Sequence, residues 1–257
     1  MNRTLLKRIT VSCIAVTSSL AMTGYASAVP AKDDTAEKTA VSEVSNAEYG
    51  SIKITGTSLG SKKNKGGRSV ASEDDKGYSI QSNEKGESFS QVITIDSDES
   101  PDSYAFNFDL PEGFTLSEAP DGGAFFRMEN GEAAGRIKAP WAVDANGKKV
   151  DTHFEVHDNH LVQKVDLSQN IAYPVTADPD GAWGWTKCIA AVTAAVAYPV
   201  GGAIKLAKFV KSIGSVKESM QLLLGATSNK EKLAGGLKAA GATAAELLGI
   251  AAVKDNC

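Results

Sequence analysis

Aromatic residues make up only 7% of this 257-residue chain, so small side chains must fill much of any core. That scarcity also excludes an extensive carbohydrate-stacking platform. The basic residues have no aromatics interleaved among them, which argues against nucleic-acid binding. No hydrolase signature is recognised, and there is no Walker loop, no G-x-G-x-x-G and no cysteine-nucleophile motif. Asp and Glu are abundant, yet nothing selects one glycosidase-like pair over another. A non-enzymatic protein without cofactor is therefore expected. What is present is ordinary in bulk: 42% hydrophobic and 23% charged residues, which exclude a wholly disordered chain and a polytopic membrane protein.

The charge is unevenly placed. Residues 1–28 carry three cations and no acid; residues 29–180 hold 15 Lys and Arg against 27 Asp and Glu, a net of −12. Residues 181–257 hold 9 Lys against 4 acids, a net of +5. Arg3, Lys7 and Arg8 form a positive n-region, Ile9 to Met22 an apolar stretch, and Ala26-Ser27-Ala28 a small-x-small cleavage site. The apolar stretch is shorter than the roughly 20 residues that span a bilayer. A secreted, extracellular protein cleaved near Ala28-Val29 is expected. Cys13 sits too near Arg8 to serve as a lipoprotein acceptor. Export leaves Cys188 and Cys257, and two thiols outside the cell are expected to pair. The bridge would close a loop of roughly 70 residues, stabilising by ~4 kcal/mol in the chain-entropy model.

Residues 29–48 lack an apolar period and predict a disordered leader. Ser51 to Thr55 alternates briefly, and the stretch near 60–77 predicts a mobile loop. Regular alternation follows. Tyr104, Phe106, Phe108 and Leu110 alternate with Ala105, Asn107 and Asp109, a period of two that predicts a half-buried strand. Ser88 to Asp96 predicts another. Ala124–Met128 and Ala133–Ile137 flank Asn130-Gly131, a type I′ hairpin signal. Thr152–Val156 and Leu161–Leu167 flank Asp158-Asn159. Short strands with turns about every ten residues predict an antiparallel β-sandwich-like domain over 49–180. Asp178-Pro179-Asp180-Gly181 predicts an interdomain hinge.

Residues 181–257 predict a small, cationic, disulfide-closed helical domain of four helices, giving an α+β chain overall. Trp183 to Tyr198 is Ala- and Val-rich. Ala203 to Ile213 carries Lys205, Lys208 and Lys211 along one side, opposite Ile204, Leu206 and Val210 in part. Ser215-x-x-Glu218 and Ser228-x-x-Glu231 predict two helix starts, running to about Leu224 and Ala252. Gly235, Gly236 and Gly241 weaken the last helix and allow close approach of another. Trp183 and Trp185 are candidates for a membrane interface, alongside the three lysines. An anionic membrane or cell envelope is the expected partner, after attraction of Lys and insertion of Ile189 to Val200. Opposite net charges predict docking of the acidic and basic regions within the chain.

All three histidines, His153, His157 and His160, fall in one hairpin. They could offer imidazoles to zinc, but no tetrahedral cage is evident, and a solvated sheet face is the expected reading.

Ala139-Pro140-Trp141-Ala142, Asp144-Ala145-Asn146-Gly147-Lys148, Thr152-His153-Phe154-Glu155-Val156, Leu161-Val162-Gln163 and Tyr173-Pro174-Val175-Thr176-Ala177-Asp178-Pro179 resemble a pattern in secreted proteins of Gram-positive bacteria, mostly actinomycetes. The tail from Trp183-Gly184-Trp185-Thr186-Lys187-Cys188 to Asn256-Cys257 is similar to tails found there. The resemblance covers about residues 90–257. It implies a β-rich region ending in a Pro-Val-x-Ala-Asp-Pro-like stretch before a variable helical segment, and it brings no catalytic residues. The leading expectation is a bacteriocin-like, membrane-active helical module held by the acidic domain until release. The alternative is an envelope- or partner-binding protein without killing activity, and a secreted hydrolase comes third.

Overall fold

The strict alternation of Tyr104, Phe106 and Phe108 marks the centre of the core, because all three are buried while Asn107 and Asp109 face solvent. A computed structural model describes residues 39–59, 77–168 and 170–257. The export signal expected over residues 1–28 and most of the mobile loop expected near 60–77 lie outside the described residues.

Thirteen strands precede six helices among the described residues. They are β1 (Ala40–Asn46), β2 (Gly50–Ser58), β3 (Tyr78–Lys85), β4 (Ser88–Ile95), β5 (Ser103–Asp109), β6 (Phe114–Glu118), β7 (Ala124–Met128), β8 (Ala133–Ile137), β9 (Trp141–Val143), β10 (Thr152–Val156), β11 (His160–Val165), β12 (Val175–Asp178) and β13 (Asp180–Ala182). The helices are α1 (Thr186–Ala197), α2 (Ala203–Ile213), α3 (Val216–Leu223), α4 (Lys230–Ala240), α5 (Ala244–Leu248) and α6 (Ala251–Lys254). One sheet of five strands runs β1-β2-β5-β11-β10, and one of eight runs β6-β7-β8-β13-β4-β12-β9 with β3 on the remaining edge of β4. Every pairing is antiparallel.

The inner faces share one core. Val44, Ile52, Ile54, Phe106 and Phe108 meet Phe89, Ile93, Ile95 and Phe126 from the facing sheet. Phe89, Phe108 and Phe126 form edge-to-face pairs with centroids 5.4–6.2 Å apart. That geometry adds roughly 0.5–1.5 kcal/mol per pair beyond area burial. The chain is thus α+β, with an antiparallel sandwich followed by helices and a Cys188–Cys257 disulfide.

The structure differs from the sequence expectation in five places. The leader expected over 29–48 contains β1, because Ala40, Ser42 and Val44 point inward while charged and polar neighbours point out. The hinge expected at Asp178–Gly181 lies within the sheet: β12 and β13 both pair with β4 along one edge. Gly181 is there for close approach, since a Cβ would stand 2.7 Å from Phe89 Cζ and 2.8 Å from the Arg136 carbonyl oxygen. The Asn130-Gly131 turn closes from Met128 O to Gly131 N, so Gly131, with φ +83°, is its fourth residue rather than its third. The four expected helices are six, because Gly241 (φ +61°) caps α4 and Thr243 starts α5 with a full capping box to Glu246. Ser215 caps α3 as expected, whereas α4 is capped one residue later than expected, by Asn229 accepting from Lys232 N.

The helices form a third layer on the outer face of the larger sheet. Phe125 of β7 and Ala133 of β8 belong to the helical core with Leu206, Phe209, Met220, Leu222 and Leu247. Period two explains this: Phe126 points into the sandwich, so its neighbour Phe125 points to the helices. Several hydrogen bonds cross the seam, among them Thr186 N and Oγ1 donating to the Glu87 carboxylate (3.2 and 2.8 Å). Trp185 Nε1 and Gln221 Nε2 both donate to Ala133 O (2.8 and 3.1 Å), and Arg127 Nη1 donates to Ala226 O (2.8 Å). The ion pair that crosses is Lys217–Glu48 at 3.5 Å, where Lys217 also donates to the Tyr49 hydroxyl. The layers dock by apolar burial around Phe125 and Ala133 together with these polar contacts.

Candidate binding face of the helical layer

Pro199 sets the turn between α1 and α2. The ring forbids the α conformation to the residue before it, and Tyr198 leaves the helix at φ −130°, ψ 70°. Gly201 follows with φ +54°, which few other residues adopt. The turn projects outward: Tyr198 is 86% exposed, Val200 79% and Ile204 47%.

On α2 the buried stripe is Leu206, Phe209 and Ile213. Phe209 and Ile213 lie on Gly236 of α4, where a Cβ would approach them to 2.7 and 2.9 Å, so the close approach expected of these glycines occurs at Gly236. The opposite stripe is Ile204, Lys208 and Lys211, at i, i+4 and i+7. This corrects Ile204, expected on the buried face: it heads the same exposed stripe as two lysines. Lys205 turns aside to Glu246 (2.9 Å). Backbone hydrogen bonding from Thr243, then Lys205, holds the Glu246 carboxyl below its usual range. Lys208 and Lys211 stay exposed one and two turns behind the apolar tip.

Trp183 and Trp185 are not at this face. Trp183 is fully buried, packed on Phe114 and Phe126, with Nε1 donating to Gly50 O at 2.9 Å. Trp185 is buried in the helical core. Each indole N–H has found an internal partner, which corrects their assignment as interfacial anchors. Of the expected insertion stretch Ile189 to Val200, Val192 is buried and Ile189 and Val196 are half-buried, leaving Ala190, Ala194, Ala197 and the larger Tyr198 and Val200 of the tip exposed. No described helix is long and apolar enough to cross a membrane.

The histidines divide. His157 and His160 stack with centroids 4.3 Å apart. His153 lies four residues back along the strand direction, roughly 13 Å at the usual rise, opposite Lys164. Among the described residues no group of three His, Cys, Asp or Glu is placed to hold a metal ion. Cys188 and Cys257 are bonded, with Cα atoms 4.6 Å apart.

Gly56-Thr57-Ser58-Leu59-Gly60 has the spacing of a nucleophile elbow and qualifies the absence of hydrolase signatures. Gly56 to Ser58 continue β2 in register with Phe106, Ala105 and Tyr104 of β5. An elbow requires a strand-to-helix turn, and here Gly56 instead sits against Gln91 and Phe106 in the sandwich core. No protein family, no curated protein and no solved structure matches this chain.

Proposed function

We propose that this is an exported, non-enzymatic protein that docks on an anionic membrane or cell envelope through the α1–α2 turn. One observation carries the reading: Tyr198, Val200 and Ile204 form an exposed apolar tip directly ahead of Lys208 and Lys211. Apolar residues at the leading point suit burial at the headgroup boundary, and lysines behind them suit contact with anionic headgroups. Two lysines contribute about 2 kcal/mol. Partial burial of the three apolar side chains adds about 3 kcal/mol at usual transfer values. The total supports reversible docking rather than permanent anchoring. The −12 and +5 halves make the molecule an electrical dipole, which turns the helical layer toward a negative surface.

Docking of the intact protein replaces the release of a killing module. Asp178, Pro179 and Gly181 are buried in the sheet, so a protease cannot reach this segment without unfolding it. The test is co-sedimentation of the 29–257 protein with phosphatidylglycerol-rich and with phosphatidylcholine vesicles. Binding to the anionic vesicles alone, fading with salt and lost in Lys208→Gln/Lys211→Gln, supports the reading. Negligible or salt-independent binding would overturn it and favour a protein partner.

A further inference from the structure

A cleft of about 590 Å³ opens where the helical layer meets the end of β8 in the larger sheet. Its apolar wall is Leu222, Leu223, Leu233, Leu248 and Val253. Its other side is the end of β8 and the chain just after it, which bring Arg136 and Lys138; Lys254 of α6 completes a cationic rim. The volume falls within the range of small-molecule sites, and the mix of an apolar wall with a few converging polar groups is their usual chemistry.

Arg136 is the informative residue. Its side chain is 8% exposed, so it is a buried charge. One carboxylate reaches it, Asp121 on Nη2, and that carboxylate is itself half exposed. Nε is buried with no hydrogen-bond partner. That atom is sealed from the cleft, and the guanidinium also lies over the Phe125 ring with Cζ 5.8 Å from its centroid, so Arg136 acts on the cleft through its charge. Lys138 is matched by Asp180 at 3.0 Å, whereas no ion pair is seen for Lys254 among the described residues. A smaller recess adjoins the rim, lined by Arg136, Lys138 and Lys187. With Lys187 of the adjoining recess, four cations face three carboxylates, those of Asp121, Asp180 and the terminal Cys257, an excess of one positive charge.

We propose that this cleft binds a single-chain anionic amphiphile, with a carboxylate at the Arg136–Lys138–Lys254 rim and an alkyl tail along the leucine wall. The complement is twofold: the excess positive charge matches an anionic head, and the leucine wall matches an apolar tail. The site is separate from the α1–α2 tip, so its occupancy does not depend on vesicle docking.

The experiment is isothermal titration of the 29–257 protein with decanoate below its micelle concentration, beside butyrate and decyl maltoside. Saturable decanoate binding at least tenfold tighter than either control is expected. Lys138→Gln/Lys254→Gln should weaken it several-fold. Leu248→Trp, which fills the cleft from a half-buried position, should abolish it while the circular-dichroism melt stays within a few degrees of wild type. Equal affinity for decyl maltoside would overturn the anionic head. Undiminished decanoate binding by a folded Leu248→Trp variant would overturn the cleft as the site, and no decanoate binding would overturn the proposal outright. Vesicle co-sedimentation of Leu248→Trp should be unchanged, which keeps this result distinct from that of the docking test.

Discussion

Replacing Cys188 and Cys257 with Ser should cost this protein about 4 kcal/mol of stability. The loop between them spans 69 positions, and the chain-entropy relation for a loop of that length gives 4.4 kcal/mol at 25 °C. The consequence is concentrated at the C-terminus. α6 has four residues, only Val253 of them buried, and no side-chain cap, so the bond to Cys188 is its main anchor. Hydrogen bonds of Trp185, Gln221 and Arg127, with Phe125, tie the rest of the helical layer to β7 and β8, so loosening α6 should weaken the whole molecule rather than detach a domain. For a protein of this size the melting temperature should fall by about 8–16 °C. Urea unfolding, followed by far-ultraviolet dichroism and by tryptophan fluorescence, should show one transition with a lower midpoint and coincident probes. An unchanged midpoint would refute the staple. Two separated transitions, with the sheet signal unmoved, would refute the three-layer packing.

Asp178 supplies a pH test. Burial, reinforced by Asp180 and partly opposed by Lys138, pushes its carboxyl from 3.8 up to about 7. The native state therefore holds a proton that the unfolded chain has already lost, so stability falls as pH rises from about 4 to about 7. Asp178→Asn should be more stable than wild type at pH 8, by about 2–4 kcal/mol, and nearly equal to it at pH 4; parallel urea midpoints across that window would contradict this. Adjacent glycines on α4 should respond with opposite signs. Gly235 has open space around its Cβ position, so Gly235→Ala should gain up to about 1 kcal/mol of helix propensity. Gly236→Ala meets Phe209 and Ile213 and should lose about 1–3 kcal/mol, as thermal melts of the two variants would show. Thr243→Ala removes the cap of α5 and should cost about 1 kcal/mol by the same measurement.

Much of the fold can be read from local rules because local geometry enforces it. Period two at Tyr104–Asp109 works since one face of β5 is core and the other is water. Ser215-x-x-Glu218 works because a cap needs only its own first turn. The misreadings share a different cause, in which long-range pairing overrides local chemistry. Pro179 and Gly181 look like a hinge, yet β4 holds both flanking strands. β1 looks like leader because its inward residues are as small as Ala40 and Ser42. Trp183 looks like an interfacial anchor, yet the carbonyl that takes its N–H belongs to Gly50, far away in sequence. The break before α5 is legible locally, since Thr243-x-x-Glu246 is as good a capping signal as Ser215-x-x-Glu218. The candidate tip is legible in part. Ile204, Lys208 and Lys211 share one stripe by helical spacing alone, but the projection of Tyr198 and Val200 depends on how α1 and α2 pack.

The central claim is that the α1–α2 turn enters an anionic interface while the rest of the protein stays outside it. Tyr198→Trp places an indole at the tip, and brominated acyl chains quench only indoles that reach them. Trp183 and Trp185 are buried and serve as internal references, while Trp141→Phe removes the exposed native indole. In phosphatidylglycerol vesicles carrying brominated lipid, the tip indole should be quenched at low salt and recover at high salt. Quenching that is absent, or equal in the Tyr198→Trp protein and its Tyr198 parent, would contradict the account.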